Sequence, residues 1–421
     1  MAGKKQKVLV LGFNSRPLVY SLYQAGYEVF AVDFFGDVDL YPYVKDSVII
    51  TEKLGSSYGL LKDKFSSYLI DFTIELLEAY KDIDYLIIGS GLDDAFRERK
   101  ALMKSIKRIG YSIISANNTI DIIKKARNID FLFNLLHAKR YKTPKTYNLG
   151  EYINQSPPKP PELSFPLILK KKKSSGGLNV SKINSLRQLD LEIEILKSTQ
   201  KNELTQWFFQ EFLKGIPVSC TTISNGSESK IISTNRQIIG LDFVNAPHNF
   251  MYCGNIVPAR LLEKDINLIE EISLYLANKL GLKGINGFDF VLRDHYPYLM
   301  EINPRIPGSI RASEEVLNLN LLDMHIQSFL PVCWKIIEKK LQSIHPNTYC
   351  TKLIFYAPND LSAKQINAIN QLEFVHDKSD PKTLISKREP VCTILYEDST
   401  FSNSFFGALK IADKIKDIIK K

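Results

Sequence analysis

The 421-residue chain lacks the features that mark several common functional classes. No stretch approaches the ~18 to 20 consecutive apolar residues that a membrane-spanning helix needs, and the longest apolar runs are strand-sized. The five cysteines are scattered without a C-x-x-C pair, so neither a zinc site nor a disulfide framework is indicated. The first apolar run ends at Gly12, too early for a secretory signal, and we therefore expect a cytoplasmic protein.

The positive charge of the chain favours an anionic ligand. The formal net charge is +9, but the basic residues are spread along the chain, with one dense run at 170–173. No nucleic-acid-binding module is recognisable, and the C-terminal amphipathic helix is short for a membrane surface. We therefore predict no nucleic-acid or membrane partner. Binding of a polyphosphate explains the excess positive charge better.

Hydrophobic patterning divides the chain into three regions. Short apolar runs alternate with helical patterns over residues 1–117, which predicts a small α/β domain with an open parallel sheet. Residues 118–342 begin with a helical pattern at 119–140, pass through a proline-rich loop and become strand-rich, and are therefore α+β in character. Residues 343–421 predict a further small α+β region.

Two strands within residues 285–305 (INGFDFVLRDHYPYLMEINPR) carry the most informative chemistry. If they form a hairpin turning around His295, Asp289 lies opposite Glu301, and Asn303 adds a carbonyl oxygen to the same face. Opposed carboxylates repel each other, so a positive group should lie between them. Oxygen ligands without histidine or cysteine suit Mg²⁺, although an isolated acidic pair on a solvated surface hairpin would give the same pattern.

The run EINPR at residues 301–305 resembles the metal-binding signature of the ATP-grasp superfamily. The resemblance implies that Asp289 and Glu301 bind one Mg²⁺ and that Glu301 and Asn303 bind a second, with Mn²⁺ able to substitute. It also implies that Arg305 contacts the transferred phosphate or the substrate.

Motifs upstream follow the order that this family shows. FPLILKKKKSSGG resembles a strand ending in a phosphate-side lysine and a glycine-rich loop, and TQWFFQEFLKG resembles the hinge strand that holds adenine. The resemblance therefore assigns ATP binding to Lys170, Ser174, Ser175, Gly176, Gly177, Glu211, Phe212 and Leu213, with Arg127 as a further phosphate contact and Lys170 also catalytic. Ile216, Pro217 and Val218 stand where many members carry an acidic ribose ligand, so the ribose contact is not assigned.

The resemblance implies an architecture as well. A Rossmann-like pre-ATP-grasp domain at 1–117 would precede an ATP-grasp region at 118–342, with a lid lobe at about 158–214 and a catalytic lobe at about 215–342. Residues 343–421 would form a C-terminal extension, and the segment DPKTLISKREPVCTILYED is similar to that of predicted carboligases related to biotin carboxylase. Dimers are common among relatives, so a homodimer is compatible with this assignment.

Ligands of open α/β sheets bind where strands end, and the first strand is followed by a loop without the G-x-G-x-x-G dinucleotide fingerprint. We take as candidate substrate residues Asn14, Arg16, Ser90, Asp93, Asn255 and Arg311. The family resemblance implies a ligase that activates a carboxylate as an acyl phosphate with Mg·ATP, after which an amine attacks. Carboxylation through carboxyphosphate and a non-catalytic ATP-binding switch remain alternatives.

Overall fold

Three β-sheets organise the chain in the computed structural model, which describes residues 5–55, 61, 64–154, 164–173, 176–177, 179–199, 201–344 and 346–420. The first sheet is parallel and belongs to the N-terminal domain. In chain order, the elements of this domain are β1 Lys7–Gly12, α1 Arg16–Gln24, β2 Glu28–Asp33, β3 Asp46–Ile49, α2 Ile50–Leu54, α3 Phe65–Ala79, β4 Tyr85–Ile88, α4 Phe96–Ile109 and β5 Ile114–Ser115.

The strand order β3-β2-β1-β4-β5 is that of a doubly wound α/β domain, as the sequence pattern predicts. Strands β1, β2 and β4 are almost wholly buried, because helices cover both faces of the sheet. This double burial explains why their sequences are nearly continuous apolar runs instead of alternating ones.

The predicted helix at 119–140 is two helices, α5 Ile120–Ala126 and α6 Ile129–Ala138. The break occurs because the Asn128 side chain accepts a hydrogen bond from the Phe131 amide (3.1 Å) and so begins a new helix. Arg127 consequently lies at the C-terminal end of α5.

The second sheet is small and antiparallel, in the order β6-β9-β7-β8. Its elements are β6 Thr146–Asn148, α7 Leu149–Asn154, β7 Leu167–Lys171, β8 Val180–Ile183, α8 Leu186–Thr199 and β9 Trp207–Glu211. From the sequence we expected this lobe to begin at about residue 158, but because β6 pairs with β9 it begins near residue 146. Its side chains form a hydrophobic core of their own around Leu169 and Phe209.

The third sheet has eight strands in the order β14-β13-β10-β11-β12-β15-β17-β16. Its region comprises β10 Ile216–Asn225, β11 Ser229–Ile239, β12 Tyr252–Val257, α9 Glu263–Leu280, β13 Lys283–Arg293, β14 Tyr296–Asn303, α10 Ile310–Leu317, α11 Leu321–Gln327, α12 Trp334–Gln342, β15 Tyr349–Tyr356, α13 Ala363–Asn370, β16 Val375–His376, β17 Pro390–Asp398 and α14 Phe401–Lys420. Strand β15 pairs with β12, so the C-terminal residues continue this sheet and are not a separate extension.

The C-terminal strands are also tied to the N-terminal domain. The carboxylate of Asp39 accepts hydrogen bonds from the amides of Asp377 (3.2 Å) and Lys378 (2.8 Å), and the Val38 amide donates to the Lys378 carbonyl (2.7 Å). The N-terminal domain is thus fixed to the large sheet on the side away from β14. None of the helices in the described part of the chain combines the length and apolar character needed to cross a bilayer.

Candidate active site

The hairpin of β13 and β14 places Asp289 directly opposite Glu301, which confirms the predicted pairing. The turn residues are Asp294 and His295, both with positive φ (50° and 60°), as two-residue hairpin turns require. That turn alone would pair Asp289 with Met300. A bulge at Met300 shifts the register by one residue, so the sequence argument reached the right pair from a slightly misplaced turn.

Polar side chains from several strands surround the two carboxylates. The side-chain amides of Gln237 and Asn303 donate to the two oxygens of Asp289, over 2.9 Å and 2.8 Å. The Nζ of Lys170, from β7 of the small sheet, lies 3.3 Å from Oε2 of Glu301. The positive group that the opposed carboxylates require is therefore supplied, for Glu301, by the lysine predicted to face the phosphates.

The two carboxyl groups have different affinities for protons. Burial and, second to it, the charge of Glu301 raise the pKa of Asp289 to about 7. Burial would also raise the pKa of Glu301, but the charges of Lys170 and Arg127 outweigh that effect, and the pKa is lowered. Glu301 is thus ionised at neutral pH, whereas Asp289 forms no ion pair within the described residues and is only partly compensated by the more distant charges of Arg305 and Lys170.

The donor set fits a hard cation that other groups help to ligate. No group of three or more histidine, cysteine, aspartate or glutamate side chains that could hold a metal ion occurs in the described ranges, so a closed protein cage is not formed there. Two carboxylates and the amide oxygen of Asn303 are what Mg²⁺ uses when waters and substrate phosphates complete its shell. The raised pKa of Asp289 is the signature of a carboxylate that a cation would stabilise in its charged form.

Two arginines flank the acidic pair, and the loop after β4 holds each of them. The Nε of Arg305 donates to Oδ2 of Asp93 over 2.7 Å, and the guanidinium of Arg127 donates to Oδ2 of Asp94 over 3.0 Å. The second carboxylate oxygen of Asp93 and of Asp94 is buried without a hydrogen-bond partner in the described residues. The N-terminal domain therefore reaches the predicted phosphate site through this loop.

A cleft lies between the small sheet and the hairpin. Its lining residues are Ala126, Arg127, Ile129, Leu132, Lys170, Lys172, Phe208, Met300, Glu301 and Ile302. Cationic groups and Glu301 occupy one part of the wall, and apolar side chains occupy the rest. This combination suits a ligand with a polyphosphate at one end and a flat apolar ring at the other.

The glycine-rich loop reaches across to the large sheet. The Gly176 carbonyl lies 3.5 Å from the Tyr252 amide, and Gly177 has φ of +83°. A Cβ added to Gly177 would lie 1.9 Å from the Phe250 carbonyl oxygen, so only glycine fits this approach. Ser174 and Ser175, the other predicted loop residues, lie outside the described part of the chain.

Of the predicted hinge residues, Glu211 ends β9, and its side chain accepts a hydrogen bond from the Lys145 amide (2.9 Å). The ring of Phe212 lies under the Lys182 ammonium at 4.3 Å, and Leu213 is buried. None of these three residues is among those that line the cleft, and their contact with adenine stays a prediction.

The structure disperses the predicted substrate residues. Asp93 contacts Arg305, and Ser90 lies in the same loop. Asn14 follows β1, and its buried Oδ1 has no hydrogen-bond partner within the described residues. Asn255 lies inside strand β12 and is buried, so it is not a turn residue.

Two predicted substrate arginines have their charges occupied. The Nε of Arg16 lies 2.8 Å from Asp39, beneath the C-terminal strands. Arg311 forms ion pairs with Glu314 (2.6 Å) and Glu315, on its own helix. Neither arginine is joined to the acidic pair by a described contact, so their part in substrate binding stays a prediction.

Sequence reasoning missed Gln237, Asp94 and Arg99. Gln237 reaches Asp289 from β11, across an intervening strand, and only the sheet order reveals that proximity. The segment DDAFRER at 93–99 carries a weak signal, since its charged residues follow a buried strand in an open α/β sheet.

Comparison with known proteins identifies the class. Residues 130–309 match the ATP-grasp domain family, and they contain α6, the small sheet and the acidic hairpin. This region is therefore similar to ATP-grasp domains, and the chain shares the fold of ATP-grasp enzymes.

Two relatives by sequence illustrate the range. An uncharacterized protein of Methanocaldococcus jannaschii is 27% identical over 421 residues, covering 99% of this chain and 95% of that protein. A D-alanine–D-alanine ligase of Flavobacterium psychrophilum is 28% identical over 149 residues, which are 35% of this chain and 43% of the ligase. This chain thus aligns with less than half the length of that ligase.

Solved structures resemble the whole chain in fold. An L-amino acid ligase from Bacillus licheniformis has a TM-score of 0.67 at 14% identity, covering 97% of this chain and 98% of the ligase. Biotin carboxylase from Campylobacter jejuni has a TM-score of 0.69 at 14% identity, covering 98% of this chain and 95% of the carboxylase. Ligases and carboxylases therefore share this architecture, which does not by itself determine the reaction.

Proposed function

We propose that the protein is an ATP-dependent ligase that activates a substrate carboxylate as an acyl phosphate, which an amine then attacks to form an amide. The observation that carries the proposal is the convergence of Glu301, Lys170 and Arg127 around one cleft. Asp289 lies opposite Glu301, and Arg305 is held nearby by Asp93. Opposed acids facing cations from two other regions suit a metal-bound triphosphate better than they suit a structural hairpin.

The roles of the residues follow from their charges. Asp289, Glu301 and Asn303 would hold Mg²⁺, which when bound supplies charge neutralisation at the phosphates. Lys170, whose Nζ lies 3.3 Å from Glu301, would contact the γ-phosphate of a bound triphosphate. Arg305, held by Asp93, steadies the phosphoryl group during its transfer.

The proposed reaction has two steps, and neither of them requires an oxidant or a reductant. A carboxylate oxygen of the acid attacks the γ-phosphorus, a C–O–P link forms, and the bond from phosphorus to the departing ADP oxygen breaks. The amine nitrogen then attacks the carbonyl carbon, phosphate leaves, and the amine loses a proton to solvent. Closure of the small sheet over the cleft would exclude water, which would otherwise hydrolyse the acyl phosphate.

A second candidate is carboxylation, in which bicarbonate is phosphorylated and the carboxyphosphate is passed to an acceptor. The fold likeness to biotin carboxylase favours it. ADP release that depends on bicarbonate, with no organic acid present, would distinguish this reaction from ligation.

The test is ADP release from Mg·ATP in the presence of hydroxylamine, scanned over pooled carboxylic acids. Hydroxylamine converts any acyl phosphate into a hydroxamate, so the natural amine need not be known. We expect a hydroxamate with at least one pool and none with Glu301→Gln, which keeps the side-chain volume but removes the metal-binding charge. Tight Mg·ATP binding with no hydroxamate from any pool would contradict the ligase proposal.

A further inference from the structure

A second cavity lies between the N-terminal domain and the loop that follows β14. It is lined on one side by Arg99 and Asn117 and on the other by Lys283, Arg305 and His325. Because Arg305 contributes to this cavity and also contacts Asp93, the cavity adjoins the predicted site of phosphoryl transfer. It is distinct from the cleft that Lys170 and Glu301 line.

Arg99 in this cavity is a buried cation that forms no ion pair with the described residues, although Asp93 and Asp94 attract its charge from beyond 4.0 Å. Its side chain is only 4% exposed, and its Nε donates to the Leu92 carbonyl over 2.7 Å. No carboxylate of the residues that the structure describes lies within 4.0 Å of its guanidinium, whereas Arg127 and Arg305 each have one. Buried charges are normally paired, so four terminal N–H groups of Arg99 are left to a ligand or to water.

The neutral groups of the cavity have their hydrogen bonds satisfied. Asn117 accepts from the Ile88 amide (2.8 Å) and donates to the Leu86 carbonyl (2.9 Å). His325 accepts from the Ile285 amide at Nδ1 (2.9 Å) and donates from Nε2 to the Ala116 carbonyl (2.9 Å). Burial lowers the pKa of His325 to about 4, so this histidine is neutral and adds no charge.

The remaining hydrogen-bonding capacity of the cavity is therefore that of donors. Arg305 uses Nε for Asp93 and one terminal nitrogen for the Ile306 carbonyl (3.3 Å), which leaves its other terminal nitrogen. A ligand here must accept hydrogen bonds and carry negative charge. The planar fork of a guanidinium matches the two oxygens of a carboxylate or bicarbonate ion.

We propose that this cavity is a subsite for a small planar oxyanion, the carboxylate group of the acid substrate or a bicarbonate ion, bound by Arg99 together with Arg305. As a substrate site the inference rests on the proposed function, since it supplies the group to be phosphorylated. Arg99 provides the selectivity for an anion, and Arg305 orients the bound anion toward the predicted site of phosphoryl transfer. The competing account is that Arg99 merely anchors the Leu92 loop and is hydrated.

The experiment measures thermal unfolding of the full-length protein in increasing acetate, bicarbonate or chloride at constant ionic strength. We expect a saturable rise in Tm of about 2 °C or more with acetate or bicarbonate and none with chloride. Arg99→Met should abolish the rise. Arg108→Met is the matched control, because Arg108 is on the same helix but is exposed and paired only with Glu78.

Arg99→Lys keeps the positive charge but loses the planar guanidinium, so it should weaken the rise in Tm that the anions cause. If Arg99→Met does not fold, Arg99→Lys provides the test of the subsite. A rise that persists in either Arg99 variant with the same half-saturating concentration, or that chloride reproduces, would overturn the proposal. Acetate acting alone identifies an organic carboxylate, and bicarbonate acting alone identifies the carboxylation substrate.

The hydroxamate assay separates this inference from the function it rests on. With an acid that gives hydroxamate, Arg99→Met should raise the KM for the acid about 10- to 100-fold, the loss expected for a charge-assisted hydrogen bond, with the KM for Mg·ATP unchanged. An equal loss for both substrates would mean that Arg99 only supports the fold. An Arg99-dependent anion effect without any hydroxamate would leave the subsite standing and remove the ligase proposal.

Discussion

Asp289→Asn offers the sharpest test of the acidic pair, because it should stabilise the metal-free protein while destroying its activity. In the folded protein the pKa of Asp289 is raised to about 7 by burial and by Glu301, whereas an unfolded aspartate titrates near ~3.9. The carboxyl therefore protonates more readily in the folded state. Its destabilising effect is absent below pH ~4, grows as pH rises, and is complete above pH ~7.

The magnitude follows from the two pKa values. A difference of roughly 3 pH units corresponds to about 4 kcal/mol of lost stability above pH 7, of which about 2.7 kcal/mol develops between pH 5 and pH 8.5. Asp289 retains some solvent contact, which screens the repulsion, so we expect an observed increment of about 1 to 2 kcal/mol. Asparagine also presents an amide to Asn303, but that clash is independent of pH.

The assay is urea unfolding of wild type and Asp289→Asn at pH 5 and pH 8.5, in EDTA and without nucleotide. The stability of the variant relative to wild type should rise by about 1 to 2 kcal/mol between the two pH values. Addition of Mg·ADP should stabilise wild type but not the variant. A relative stability that is independent of pH, or that falls at pH 8.5, would refute the account of the acidic pair.

Three further substitutions probe the cleft and its supports. Lys170→Met should raise the KM for Mg·ATP and lower kcat at least about tenfold, while the KM for the acid stays unchanged, and unaltered nucleotide kinetics would transfer the role to a neighbouring lysine. Gly177→Ala should weaken Mg·ATP binding, measured by calorimetry. The control is Gly176→Ala, whose added methyl meets no atom within 4 Å and which should weaken binding less. Equal effects of the two substitutions would contradict a close approach of the loop. The Nζ of Lys352 donates to the Gly308 carbonyl (3.0 Å) in the loop that carries Arg305. Lys352→Met should therefore lower kcat and reduce the free energy of unfolding in urea by about 1 to 3 kcal/mol. An unchanged kcat would show that the loop needs no such anchor.

The sequence predicted best those features that depend on local order. Alternation along two adjacent strands sufficed to pair Asp289 with Glu301, and continuous apolar runs sufficed for the parallel sheet. The bulge at Met300 was invisible, because an extra residue in one strand leaves no compositional mark. Its effect cancelled the misplacement of the turn by chance.

Features that depend on distant pairing could not be predicted. The joining of β15 to β12 brings together residues about one hundred positions apart, and nothing in either strand specifies its neighbour. The same limit hid Gln237, which acts across an intervening strand, and Arg99, whose burial without an ion pair in the described residues is a property of the folded interior. Such residues can be recognised only once the folded structure shows which groups surround them.

The separation of the small sheet from the rest of the fold gives the molecule a built-in optical reporter. The chain has two tryptophans, and Trp207 lies in β9 of the small sheet while Trp334 begins α12 beside the large one. Among the described residues, the N-terminal domain and the C-terminal strands are tied to the large sheet, whereas the small sheet has a hydrophobic core of its own, so we expect the small sheet to move as a unit. In a Trp334→Phe variant, the emission of Trp207 would follow that movement alone, so opening and closing could be timed in a stopped-flow instrument without any label.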